Sequence, residues 1–138
     1  MQIVEQVEHI GLAARDPALL KDWYVRVLGA VPVCDNGAQP PAFLVQLPGG
    51  LLLEIYPAMA SPAGNDDNSL GGWRHLALRV ESIERAREQL DQQQVPWKSP
   101  VKPAGWGGRV LFFSDPENNL LHLVERPADA AFFTFLPS

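Results

Sequence analysis

The chain has 138 residues, the size of one ordinary domain, which can also be assembled from two smaller similar modules. Apolar residues make up 46% and charged residues 20%, a balance that supports a packed core and argues against disorder. A net charge of -5 with no run of basic residues argues against nucleic acid as a partner, and no stretch approaches the ~20 apolar residues that span a bilayer. The acidic N-terminus is unlike a signal peptide, so the expected location is the cytoplasm. The single cysteine, Cys34, cannot form an internal disulfide, and the expected role of a lone thiol is structural.

Residues 4–12 read as a strand. Asp16-Pro17 supplies a side-chain cap and a proline at the first helical position, and Leu20, Trp23, Tyr24, Val27 and Leu28 recur at helical spacing up to Gly29, which suits a left-handed exit. Short apolar segments at 30–34, 42–47 and 51–56 follow as strands, divided by Asp35-Asn36-Gly37, Pro40-Pro41 and Pro48-Gly49-Gly50. Residues 57–72 turn to Pro, Gly, Ser, Asn and Asp, the composition of a surface linker. The order then restarts: a strand at 73–80, a helix capped by Ser82 with Ile83, Ala86 and Leu90 on one face, and strands at 95–98, 109–113 and 120–125. The pattern is βαβββ twice, an α+β arrangement.

The repeat can be tested by alignment. Setting Pro48 on Pro116 matches Leu52, Leu53 and Ile55 to Leu120, Leu121 and Leu123 and puts Glu54 opposite His122, while His9 matches His75 at the front of each module. All three histidines sit inside apolar strand runs: Glu8-His9-Ile10, Arg74-His75-Leu76 and Leu121-His122-Leu123. Strand side chains alternate between faces, so the neighbours can pack beneath helices while the histidines and Glu54 point the other way. A buried carboxylate costs several kcal/mol unless paired or metal-bound, and neutral imidazole suits zinc, nickel or iron. His9, Glu54, His75 and His122 are therefore the expected ligands of one divalent metal, with a hydrogen-bonded core role as the bland alternative for each.

The segments Val7-Glu8-His9-Ile10-Gly11-Leu12, Trp23-Tyr24, Val27-Leu28-Gly29, Leu53-Glu54-Ile55, Arg74-His75-Leu76-Ala77 and Phe112-Phe113-Ser114-Asp115-Pro116-Glu117-Asn118-Asn119 carry a resemblance over nearly the whole chain. They resemble the vicinal oxygen chelate superfamily, which includes glyoxalase I, extradiol dioxygenases, methylmalonyl-CoA epimerase, fosfomycin-resistance transferases and bleomycin-binding resistance proteins. The resemblance implies a single glyoxalase-like domain over 1–138, with module 4–56, linker 57–72, module 73–126 and tail 127–138. It also implies that the modules pair into an open, barrel-like mixed sheet with helices outside, around one zinc, nickel, iron or manganese ion that chelates adjacent substrate oxygens. Glyoxalase-type members usually carry a ligand glutamate seven residues after the aspartate of the Asp-Pro turn. Here that position is His122, with Glu125 on the opposite parity.

The first functional expectation is lyase or isomerase chemistry through a metal-chelated enediolate, with Glu54 as ligand and catalytic base. A second is a non-haem iron dioxygenase using His9, His75 and Glu54. A third is a metal-free drug-binding resistance protein. Trp73, Arg79, Trp106 and Arg109 are candidate substrate-pocket residues, with Arg79 or Arg109 holding an anionic group, and Ala104-Gly105-Trp106-Gly107-Gly108 is either a lid or a long hairpin connection. The resemblance and the apolar tail Ala130-Ala131-Phe132-Phe133-Thr134-Phe135-Leu136 lead to the expectation of a homodimer.

Overall fold

The computed structural model describes residues 2–129; the apolar tail at 130–136 lies outside them. The chain divides into two compact units, Met1–Ala63 and Gly64–Ser138, and the division falls inside the linker composition of residues 57–72.

In the first unit β1 (Ile10–Ala14) leads to α1 (Pro17–Leu28), followed by β2 (Val31–Asp35), β3 (Phe43–Gln46) and β4 (Leu52–Pro57). The helix starts and stops where its chemistry dictates. The Asp16 carboxylate accepts from Leu19 N–H, Pro17 occupies the first turn, and Gly29 leaves in a left-handed conformation at φ 74°. The strands form a four-stranded mixed sheet in the order β1-β4-β3-β2, with β1 and β4 parallel. Helix α1 packs on β1, β3 and β4, and Leu20, Trp23 and Tyr24 are buried, as are Ala14, Val45, Leu53 and Ile55 on the strands.

The second unit repeats the plan with β5 (His75–Arg79), α2 (Ile83–Gln92), β6 (Lys102–Pro103), β7 (Arg109–Ser114) and β8 (Leu120–Glu125) in the order β5-β8-β7-β6. Ser82 Oγ caps α2 by accepting from Arg85 N–H, and α2 packs on β7 and β8. The buried side chains of this unit include Ile83, Leu90, Leu111, Phe113, Leu121 and Leu123. The β7–β8 turn is built by Asp115, whose carboxylate accepts from the N–H groups of Glu117 and Asn119 and from the Asn119 amide, while Asn118 takes φ 65°. The fold is thus α+β, with βαβββ twice, and the eight described strands hydrogen-bond as two four-stranded sheets.

Three segments depart from expectation. Residues 4–9 are not in a strand, so β1 begins one residue after His9. The strand expected at 95–98 is reduced to an isolated bridge between Trp97 and Phe113 and a bond from Lys98 N–H to Phe112 C=O; the ladder resumes only at Lys102. Pro96 and Pro100 have no N–H to give a continuous ladder. Finally, residues 64–70 are not a bare crossing of the surface. Arg74 Nη1 donates to the carbonyls of Gly64 and Asp67, the Asn65 amide to Asn119, and Lys98 Nζ to Asp66, at 3.1–3.4 Å.

Candidate metal site

Strand pairing fixes which side chains share a face, because directly paired residues point the same way. In the first unit Gly11 pairs with Glu54, and His9 stands two residues before Gly11. In the second, Ala77 pairs with His122, and His75 stands two residues before Ala77. The His9–Glu54 and His75–His122 pairs therefore hold equivalent places in the two modules. On the opposite faces Leu53, Ile55 and Val45 meet α1, and Leu121, Leu123 and Leu111 meet α2.

Glu54 lies half-buried on a central strand, and its carboxylate has no hydrogen-bond or ion-pair partner among the described residues. The imidazole of His122 is buried, and burial, reinforced by the nearby His75, lowers its pKa; the contact with Leu123 C=O acts the other way. The ring is therefore neutral near pH 7, the form that donates a lone pair. The centroids of His75 and His122 are 4.7 Å apart. Two imidazoles bound to one ion through single nitrogens at about 2.1 Å set their ring centres about 4.5–5.5 Å apart, so this spacing fits a shared metal.

The three Nδ1 atoms behave alike. That of His9 lies 2.9 Å from Glu8 Oε1, that of His75 2.7 Å from Asn68 Oδ1, and that of His122 3.2 Å from the Leu123 carbonyl. Each contact occupies Nδ1 and leaves Nε2 as the nitrogen open to a ligand. Among the described residues, no group of three or more His, Cys, Asp or Glu side chains is gathered closely enough to hold a metal ion.

The other candidates are scattered. Arg79 shares the His75 face of β5 and lines an open cavity of about 480 Å³ with Val80, Glu81, Arg126 and Ala128, to which no histidine contributes. Trp73 is 98% exposed and lies outside β5, and Trp106 is 83% exposed at φ 70°. The segment at 104–108 is a hairpin connection: Ala104 N–H donates to Gly108 C=O, and Arg126 Nη1 donates to the carbonyls of Gly105 and Gly107.

Arg109 requires a correction. It is on the helix-facing parity of β7, opposite the His122 face, and its guanidinium clasps Glu84 at 2.8 and 3.0 Å and Glu125 at 2.9–3.2 Å. It is thus committed to α2 and β8, not to a pocket beside His122. Glu125 also accepts from Ile83 N–H at 2.9 Å, so Arg109 and the start of α2 satisfy it.

Two residues of the His122 face escaped the sequence reading. Phe112 pairs with His122, with rings 4.9 Å apart, and Lys102 sets its ammonium 4.8 Å over the Phe112 ring. Of the three lysines, Lys21 and Lys98 have carboxylate partners, and Lys102 has none among the described residues. The opposite parity of Phe112 to Phe113 and Leu111, both buried, is the signal that points to it.

A twice-repeated βαβββ unit, with Glu54 on the helix-free face of one sheet and His75 and His122 on that of the other, is the plan of a glyoxalase-like fold. The chain belongs to the Glyoxalase/Bleomycin resistance protein/Dioxygenase superfamily, whose family model matches residues 6–123. It is 27% identical over 126 residues to YaeR of Escherichia coli, covering 89% of this chain and 98% of that protein. The crystal structure of a glyoxalase family protein from Enterococcus faecalis matches with a TM-score of 0.74 and 27% identity, covering 90% of this chain and all of the other. The fosfomycin resistance protein FosX of Listeria monocytogenes, solved with Mn(II) and 1S,2S-dihydroxypropylphosphonic acid, shares the fold at a TM-score of 0.68 and 18% identity, over 92% of this chain and 94% of that one. No helix among the described residues is long and apolar enough to cross a membrane.

Proposed function

We propose that this chain is a cytoplasmic, metal-dependent enzyme acting on a small molecule, with lyase or isomerase chemistry of the glyoxalase kind. The observation that supports this reading is the matched placement of the histidines, His9 two residues before Gly11, which pairs with Glu54, and His75 two residues before Ala77, which pairs with His122, each histidine having Nδ1 engaged. His9, Glu54, His75 and His122 would hold one zinc, nickel, manganese or iron ion. When bound, such an ion supplies a Lewis acid for adjacent substrate oxygens. Glu54 also takes and returns the proton; its lack of a described partner leaves both carboxylate oxygens for these tasks. Lys102, beside Phe112, attracts an anionic group on the substrate, with Arg79 on the same face of the sheet. We further propose a homodimer, on family resemblance and the apolar sequence at 130–136.

Elemental analysis of protein purified without a chelating tag tests the reading. We expect about one transition metal per chain, and its loss in Glu54→Ala and His9→Ala with folding retained. Protein that arrives metal-free and refuses zinc, nickel, manganese and iron overturns it. Oxygen uptake with catechols after anaerobic iron loading would instead identify a dioxygenase.

A further inference from the structure

We propose that Asn68, contributed by the segment between the modules, is the positioning residue of His75. It holds the imidazole with its proton on Nδ1, so that Nε2 is presented as the bare donor nitrogen. The inference deepens the proposed metal site and rests on reading His75 as a ligand, but its central test needs no metal.

The geometry begins with the 2.7 Å contact between His75 Nδ1 and Asn68 Oδ1. An amide oxygen only accepts, so this contact requires the ring to donate from Nδ1. Both residues are exposed, and an isolated exposed hydrogen bond would compete poorly with water. Asn68 is not isolated, because the chain around it is fixed on both sides. Asp67 Oδ1 accepts from Ser69 N–H at 3.0 Å and from Ser69 Oγ at 2.6 Å, and Asp67 N–H donates to Gly64 C=O at 3.0 Å. Arg74, the residue before His75, reaches back to the Gly64 and Asp67 carbonyls, and Lys98 binds Asp66. The loop thus delivers the Asn68 oxygen with little ordering left to be done when a ligand binds.

The neighbouring histidines make the choice of tautomer consequential. His122 has its Nδ1 on the Leu123 carbonyl and His9 has its Nδ1 beside Glu8, so a His75 protonated on Nε2 would be the one ring of the three presenting a proton in place of a lone pair. Residues that fix a ligand histidine in this way typically contribute about 10–100-fold to metal affinity.

The test is long-range ¹H–¹⁵N NMR of the imidazoles in metal-free protein, with the wild type compared to Asn68→Ala and Asn68→Asp. We expect His75 of the wild type to carry its proton on Nδ1, Asn68→Ala to shift it toward Nε2, and Asn68→Asp, which keeps an acceptor, to restore the wild-type pattern. Zn(II) affinity should fall about 10–100-fold in Asn68→Ala and recover in Asn68→Asp. A wild-type His75 protonated on Nε2, or a tautomer unchanged by Asn68→Ala in protein with a native circular dichroism spectrum, overturns the inference. If the tautomer follows Asn68 while no protein binds metal, the orienting role stands and the metal reading fails. If metal binds with equal affinity to all three proteins and the tautomer does not move, the metal reading stands and the role of Asn68 fails.

Discussion

In the first module β4 is buried only at Leu53 and Ile55 and β3 only at Val45, whereas in the second the corresponding β8 is buried from Leu120 to Val124 and β7 at four of its six positions. The connectivity is the same and the surroundings differ, and the matched polar position responds to that difference. Where the site is half-buried it holds the carboxylate of Glu54; where it is fully buried it holds the imidazole of His122. Burying a charge costs several kcal/mol, but burying a neutral, hydrogen-bonded imidazole costs far less. His122, at the place where the resemblance leads one to expect a glutamate, is a side chain that this buried environment can hold uncharged.

The sharpest way to test this contrast is through the connections between strands. A Cβ on Gly108, at φ 99°, would lie 1.9 Å from the Glu125 carbonyl oxygen, but one on Gly37, at φ 68°, would meet nothing within 4 Å. Gly108→Ala should therefore destabilise the protein by about 3 kcal/mol or more and Gly37→Ala by about 1 kcal/mol, measured by urea unfolding. Equal costs would mean that the two connections are under the same constraint.

At the matched donors, Glu54→Ala and His122→Ala should each weaken metal binding at least ~10-fold by titration, but only His122→Ala should also lower stability, by about 1–3 kcal/mol, because it leaves a cavity. Glu125→Ala should leave metal affinity within about 2-fold while lowering stability, since it strips partners from Arg109 and Ile83 N–H. Metal loss in Glu125→Ala with His122 dispensable would show that the face assignment of β8 is inverted in solution.

The smallest effect concerns acid. Hydrogen bonds from Arg109 pull the pKa of Glu84 from 4.5 to about 2. A carboxylate whose folded pKa is lowered stabilises the protein fully above its unfolded value and loses that contribution as pH falls from about 4.5 through about 2. The melting temperature of Glu84→Gln should thus fall less steeply over this interval than that of the wild type. Because both side chains are largely exposed, the difference should shrink in high salt. Parallel curves would mean that the pair contributes nothing measurable.

Where a local signal coincided with its tertiary role, the sequence could be read directly. Asp16-Pro17 and Gly29 bound α1, Ser82 starts α2, and the alternation Leu120–Glu125 gives β8 with its two faces. The histidines stood out as scarce polar residues in apolar strands. What could not be read depended on distant partners. Residues 4–9 look like strand but join no ladder among the described residues, and Val95–Lys98 has apolar character but contains Pro96 and is followed by Pro100, which interrupt pairing. Arg109 was mistaken for a substrate anchor because its partners, Glu84 and Glu125, lie 25 and 16 residues away. Asn68 was hidden in linker composition, where nothing local announces that its amide meets a histidine seven residues later.

Arg109 and Glu125 stand directly opposite one another in the β7–β8 ladder, and both reach the start of α2. Sliding β8 by one residue would carry Glu125 to the other face, abandon Arg109 and the Ile83 N–H, and at the same time turn His122 into the helix. The ion cluster on one side of the sheet therefore proofreads the threading of the strand that carries His122 on the other side. In a library of variants selected only for catalysis, Arg109 and Glu125 should accordingly resist single substitution and change only together, although neither side chain shares a face with His122.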